Sequence, residues 1–157
     1  MLHIFNRYFA ALFIAGALSF ISVAAQAEPA DGWQAFTTGD HAKAEAIWRL
    51  LAEKGDRNAA FGLGMLEQAR NQFEQAARWY EQAARAGLTS AQVLLGSMYI
   101  DGRGVPRDGT LAYAWFNRAN LDGHANAARV RDAIAAKLTS QELAQAKALS
   151  ESFASPK

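Results

Sequence analysis

Any reactive site in this sequence would have to be built from its three histidines, of which His3 falls in the N-terminal leader described below, a scatter of carboxylates and a Gly-Arg-Gly turn. His41 follows Asp40 just before a helical segment, and His124 follows Gly123 at a helix boundary. Isolated imidazoles at helix ends read as solvent-facing residues and not as metal ligands or acid–base partners. No two histidines stand four apart as on a zinc-binding helix, and the sequence has no cysteine to supply a thiolate ligand or nucleophile. Glu67, Glu74 and Glu81 fall on helix surfaces as solvated or paired side chains, with Glu74 and Arg78 spaced for a weak surface pair. Gly102-Arg103-Gly104 lacks the third glycine and the preceding strand of a dinucleotide loop, and no Gly-Lys-Ser/Thr follows it. Its glycines serve more simply to turn the backbone between helices. The sequence therefore assigns no catalytic residue, no cofactor and no metal site, and reads as non-enzymatic.

The elements that would position any site begin at Glu28. Arg7 is the only charge before that point; it precedes an apolar run from Tyr8 to Phe20, and small residues lead to Ala25-Gln26-Ala27. A basic start, an apolar core and a small-x-small end describe a secretory signal peptide, with cleavage expected between Ala27 and Glu28. An uncleaved anchor over Tyr8–Ala25 is the alternative, but the span has little length to spare, and Ser19 and Ser22 interrupt it. No cysteine follows the run, which excludes a lipid-anchored lipoprotein. The expected location is periplasmic or secreted, without stable membrane insertion after cleavage. A disulfide-free exported domain must be held together by packing.

The remaining 28–157 segment is the length of one domain. Without Arg7 it carries 15 Asp and Glu against an equal number of Lys and Arg. That neutrality gives no electrostatic reason to bind nucleic acid or an anionic membrane.

The chain matches itself. A shift of 32 places Ala44 on Ala76, Trp48 on Tyr80, Gly55 on Gly87, Ala59 on Ala91, and Leu63-Gly64 on Leu95-Gly96. A shift of 36 carries Ala76 to Ala112, Trp79 to Trp115, Tyr80 to Phe116 and Gly87 to Gly123. The extra residues fall within Asp101–Pro106, between two helical segments, where a helical hairpin tolerates an insertion. The units span about 31–55, 56–87 and 88–123, and a helical cap occupies 124–153. Asp56, Asp108 and Thr139 are expected N-caps, the last with Glu142 following at capping-box spacing. Asn71 with Glu74 and Thr89 with Gln92 are read as capping boxes. Ala76, Tyr80 and Ala83 share one helix face, so small residues allow close backbone approach and the ring fills the space between hairpins. Trp79, Trp115 and Phe116 are accordingly read as packed core and not as sugar- or cofactor-stacking surfaces.

The unit from Ala91 through Leu95-Gly96, Tyr99, Gly102-Arg-Gly104-Val105-Pro106, Asp108, Ala112, Ala114-Trp115-Phe116 and Ala119 to Gly123 resembles a full Sel1-like repeat, a relative of the tetratricopeptide repeat. Residues 59–87 resemble the family more loosely, because the Gly-x-Gly-Val turn is missing. The first unit keeps Ala44, Trp48, Leu51 and Gly55. The resemblance implies a short right-handed α/α solenoid with a C-terminal capping helix pair. It also implies a non-catalytic scaffold for protein partners of the bacterial cell envelope.

In such solenoids the first helix of each hairpin lines a groove. By that analogy Asn58, Phe61, Met65 and Gln68, then Ser90, Val93, Ser97 and Ile100, form the partner-binding face. Apolar members on an open groove would suit a helix or an extended peptide. The competing arrangement is that the C-terminal helix, through Leu143 and Phe153, folds over them. Two other functions stand as alternatives. One is a hydrolase of cell-wall or β-lactam substrates, which the resemblance raises, although the sequence lacks a Ser-x-x-Lys motif. The other is a transient, chaperone-like or regulatory binder.

Overall fold

The structure, a computed structural model, describes residues 28–153; the leader read from the sequence lies outside them. The described residues form eight helices and no strand: α1 (Pro29–Thr37), α2 (His41–Glu53), α3 (Arg57–Ala69), α4 (Phe73–Arg85), α5 (Thr89–Asp101), α6 (Gly109–Leu121), α7 (Ala127–Ala135) and α8 (Ser140–Ser152). Each helix packs on the next through α7, and α8 returns along α6. The result is an α/α solenoid of three hairpins, α1–α2, α3–α4 and α5–α6, closed by the α7–α8 pair.

Turn chemistry sets the helix length. Gly39, Gly55, Asn71 and Gly87 all have positive φ and recur at one constant spacing, so helices of equal length alternate with equally short turns from α2 to α5. Asn71, at φ 61, is the one non-glycine residue of this kind among those described. Asparagine tolerates the left-handed region that other side chains avoid, and here it ends α3. This corrects the expected capping box: the residue before α4 is Gln72, and it makes no side-chain cap. The second expected box also fails, since α5 follows Leu88 without a side-chain cap. Asp56, Asp108 and Thr139 do cap α3, α6 and α8, at 2.7, 2.9 and 3.2 Å from Ala59, Leu111 and Glu142 N–H. Arg78 donates to Gln75 at 3.1 Å, in place of the expected pair with Glu74.

Most buried hydrophobic side chains are alanines, so a few rings must supply the volume of the core. Trp48, Tyr80 and Phe116, each on the second helix of its hairpin, are all buried. Each stands where a glycine of the first helix lacks a side chain. A methyl group on Gly64 would lie 2.5 Å from Tyr80 Cε1, and one on Gly96 would lie 2.9 Å from Phe116 Cδ2. Gly32 stands in the same relation to the Trp48 indole, and a methyl group on Gly62 of the next hairpin would lie 2.6 Å from Trp48 Cδ2. Gly32, Gly64 and Gly96 are evenly spaced at the shorter repeat period, so the first hairpin begins with α1.

The insertion at 102–106 folds back onto the preceding hairpin. Gly102 ends α5 with a left-handed φ of 67°, and Gly104 presses on the Phe73 carbonyl where no Cβ would fit. The Arg103 guanidinium covers the Phe73 ring at 5.3 Å, and Val105 joins the core.

The far end is closed by a stack. Phe153 lies on Trp115 with ring centroids 4.0 Å apart and planes 15° from parallel. Arg85 lies over both rings, at 5.8 and 5.3 Å. Asn117 of α6 donates to Ser150 of α8 at 2.8 Å and accepts from Arg131 of α7 at 3.3 Å, which ties the three helices together.

This packing sets two expectations for stability. Glycine to alanine within a helix ordinarily stabilises by about 1 kcal/mol. Gly64→Ala is expected to do the opposite, lowering stability by about 1–3 kcal/mol because Tyr80 must move; denaturant unfolding gives the sign. Phe153→Ala should cost about 3–5 kcal/mol and shift tryptophan emission to the red as Trp115 meets water; an unchanged spectrum would show that the stack does not shield it.

Candidate functional site

The first helices α3 and α5 carry the residues assigned from sequence to a groove. Asn58, Gln68 and Ser90 are exposed, whereas Phe61, Met65, Val93, Ser97 and Ile100 are half-buried. These apolar groups are held from behind by two different sets of neighbours. Phe61 and Met65 pack on the main core, with the Phe61 ring 5.6 Å from Tyr80 and 6.5 Å from Trp33. Val93 and Ile100 pack on a smaller cluster of Phe116, Ala119 and Ala127, which Val130 and Ile134 of α7 also join. The C-terminal helix places Leu149 and Phe153 against α6 and Trp115, and not as the expected cover through Leu143 and Phe153.

Two polar groups on this face, Gln68 and Ser97, are engaged with the scaffold. The Gln68 side-chain carbonyl accepts from the Tyr80 hydroxyl at 3.0 Å, and Ser97 donates to the Val93 carbonyl at 3.0 Å. Burial pushes the Tyr80 hydroxyl up to about 12, so it remains a neutral donor to Gln68 over the physiological range. All eight assigned side chains are uncharged.

Charge is concentrated elsewhere, in structural clusters. Glu45 of α2 accepts from Arg70 at 2.7 Å and from Arg49 at 2.6 Å; these guanidiniums, Arg70 first, hold its carboxyl below the usual carboxylate range. Glu67, read from sequence as a surface carboxylate, is buried and lies 3.6 Å from Arg70. Asp122 accepts from Arg118 and, at 2.8 Å, from the Gln92 amide, and both lower its pKa, Arg118 the more.

His41 and His124 lie at separate helix ends. His41 opens α2 and stacks on Phe36 at 5.2 Å, while His124 follows α6 and donates its backbone N–H to the Ala119 carbonyl. Among the described residues there is no group of three or more His, Cys, Asp or Glu placed to hold a metal, and no helix long and apolar enough to cross a membrane. Gly102-Arg103-Gly104 is occupied with Phe73, as above. What sequence reasoning missed is the Trp33 ring, on the same side as Phe61. Its signal was the position of Trp33 directly after Gly32, just as Met65 follows Gly64.

The Sel1 repeat model matches residues 58–88 and 89–124. Among solved structures, a protective antigen of uropathogenic Escherichia coli strains with an SLR fold is 36% identical, with a TM-score of 0.73 over 83% of this chain and 30% of that one. This chain thus spans under a third of that protein's length. A Sel1 repeat protein from Oxalobacter formigenes is 27% identical, with a TM-score of 0.60 over 76% of this chain and 98% of that one. No curated protein matches the chain. Two matched repeats, with hairpins and ring positions in register, show that residues 58–124 of this chain are two Sel1-like repeats, a fold that is typically a non-catalytic scaffold for protein–protein interaction.

Proposed function

We propose that this chain is an exported scaffold of the bacterial cell envelope that receives a protein partner on the α3–α5 face. The observation that carries the reading is the unequal burial of that face. Phe61, Met65, Val93 and Ile100 keep part of their apolar surface in water, although neighbouring positions of the same helices are fully buried. Apolar groups fixed from behind and open in front suit an interface, because little conformational freedom is lost when a partner covers them. Asn58, Gln68 and Ser90 supply a polar rim with no net charge, which favours an uncharged, amphipathic helix or an extended segment. The envelope location rests on the leader pattern of residues 1–27.

Both halves of the reading can be tested. The double variant Phe61→Ser/Met65→Ser should keep its helical circular dichroism while losing at least tenfold in affinity for a partner crosslinked to the unaltered protein in the periplasm. Retained affinity would remove this face from the interface. N-terminal sequencing of the protein recovered from the periplasmic fraction should begin at Glu28; recovery of an intact leader in the membrane fraction would contradict export by cleavage.

A further inference from the structure

Successive hairpins are joined by a polar contact that repeats with the fold while its donor changes. In α2 the carbonyl of Ala52 lies just before the turn glycine Gly55, whose N–H it accepts at 2.9 Å. The same carbonyl also accepts the side-chain amide of Gln82, from α4 of the next hairpin, at 2.8 Å. In α4 the equivalent carbonyl, one repeat later, is that of Ala84, which accepts from Gly87 N–H at 3.0 Å. Here too a glutamine of the following hairpin donates, but it is Gln92 of α5, at 3.2 Å.

The two donors stand at different places in the repeat. Gln82 corresponds to Arg118 of the third unit by the longer of the two internal shifts, and Gln92 corresponds to Ala60 of the second by the shorter. Where Ala60 is too short to reach, Gln82 does so. Where Arg118 turns instead to Asp122, Gln92 takes over and its amide also donates to the Asp122 carboxylate at 2.8 Å. Rotating the Gln92 amide would point its oxygen at that carboxylate, so its orientation is fixed by charge. One acceptor served by two unrelated donor positions marks the acceptor as what the fold maintains.

We infer that this carbonyl is a latch point, at which a glutamine of each following hairpin grips its neighbour's second helix and so couples the opening of the two hairpins. The turn glycine takes up one side of this helix-end carbonyl, and filling its remaining acceptor capacity from the next unit makes the end of one hairpin depend on the presence of another. In a quasi-one-dimensional array, terms of this kind decide whether hairpins open together or singly.

Site-resolved amide hydrogen exchange on the purified chain tests the coupling. Gln82 is exposed, so Gln82→Ala and the isosteric Gln82→Glu, which cannot donate from an ionised carboxylate, should both fold. Each is expected to raise opening roughly fivefold, the worth of one hydrogen bond, in α1 and α2 while α5 to α8 keep their protection. Gln92→Ala should do the reverse, loosening α5 to α8 relative to α1 and α2. Unchanged exchange in both Gln82 variants, or an equal rise across every helix, would overturn the latch.

Discussion

A ring standing in the place of an absent side chain is the contact on which the structure turns. Trp48 over Gly32, Tyr80 over Gly64 and Phe116 over Gly96 each bring the two helices of one hairpin closer than any pair of larger residues would permit. Close approach in turn explains the alanines. At that separation Ala44, Ala59, Ala76, Ala91 and Ala112 fill their positions completely, each with no exposed surface. An all-alanine interface would bury little area, and burial scales with apolar area removed from water. The rings provide that area without spreading the helices. Trp48 does so twice, because Gly62 of the next hairpin also approaches its ring.

Other features follow from keeping this arrangement in register. Left-handed turn residues at 39, 55, 71 and 87 hold the helices to equal length, so each ring meets its glycine. The insertion in the third hairpin displaces Phe116 from the spacing that relates Trp48 to Tyr80 but leaves it on Gly96, because the extra residues are taken up by a loop docked on Phe73. Trp115, the preceding residue, would face solvent at the end of the array; Phe153 covers it, and α7 and α8 supply the surface that a further hairpin would otherwise have supplied. The face left over, on α3 and α5, is the one the interaction reading uses.

Legibility in the sequence follows the range of the interaction. The hairpin pattern, the closing glycines and the aspartate caps are readable because each depends on neighbours within one turn or on an exact internal repeat. Gly32 escapes notice, since its partner Trp48 is visible only as half of a pair whose other half abuts the apolar leader. Asn71 misleads for a chemical reason: asparagine serves both as an N-cap and as a left-handed turn residue, and only the even rhythm of the neighbouring turns distinguishes the two. Gln92 reads as part of a local cap, whereas its amide reaches Asp122 in the next helix's C-cap, which no local window reveals. The α3–α5 face is readable as a set of positions, but its half-burial comes from Trp33, Tyr80 and Phe116, whose placement needs the tertiary fold.

The nesting of rings on glycines has a direct spectroscopic signature. A glycine α-proton lying against an aromatic face is shielded by the ring current, so the α-proton resonances of Gly32, Gly62, Gly64 and Gly96 should fall well upfield of those of Gly39, Gly55 and Gly123, beside which no side chain stands. Assigned carbon–proton correlation spectra of the folded chain measure this. Shielding of all four interior glycines is the expected result; resonances overlapping those of the turn glycines would contradict the packing from which the account of this fold is built.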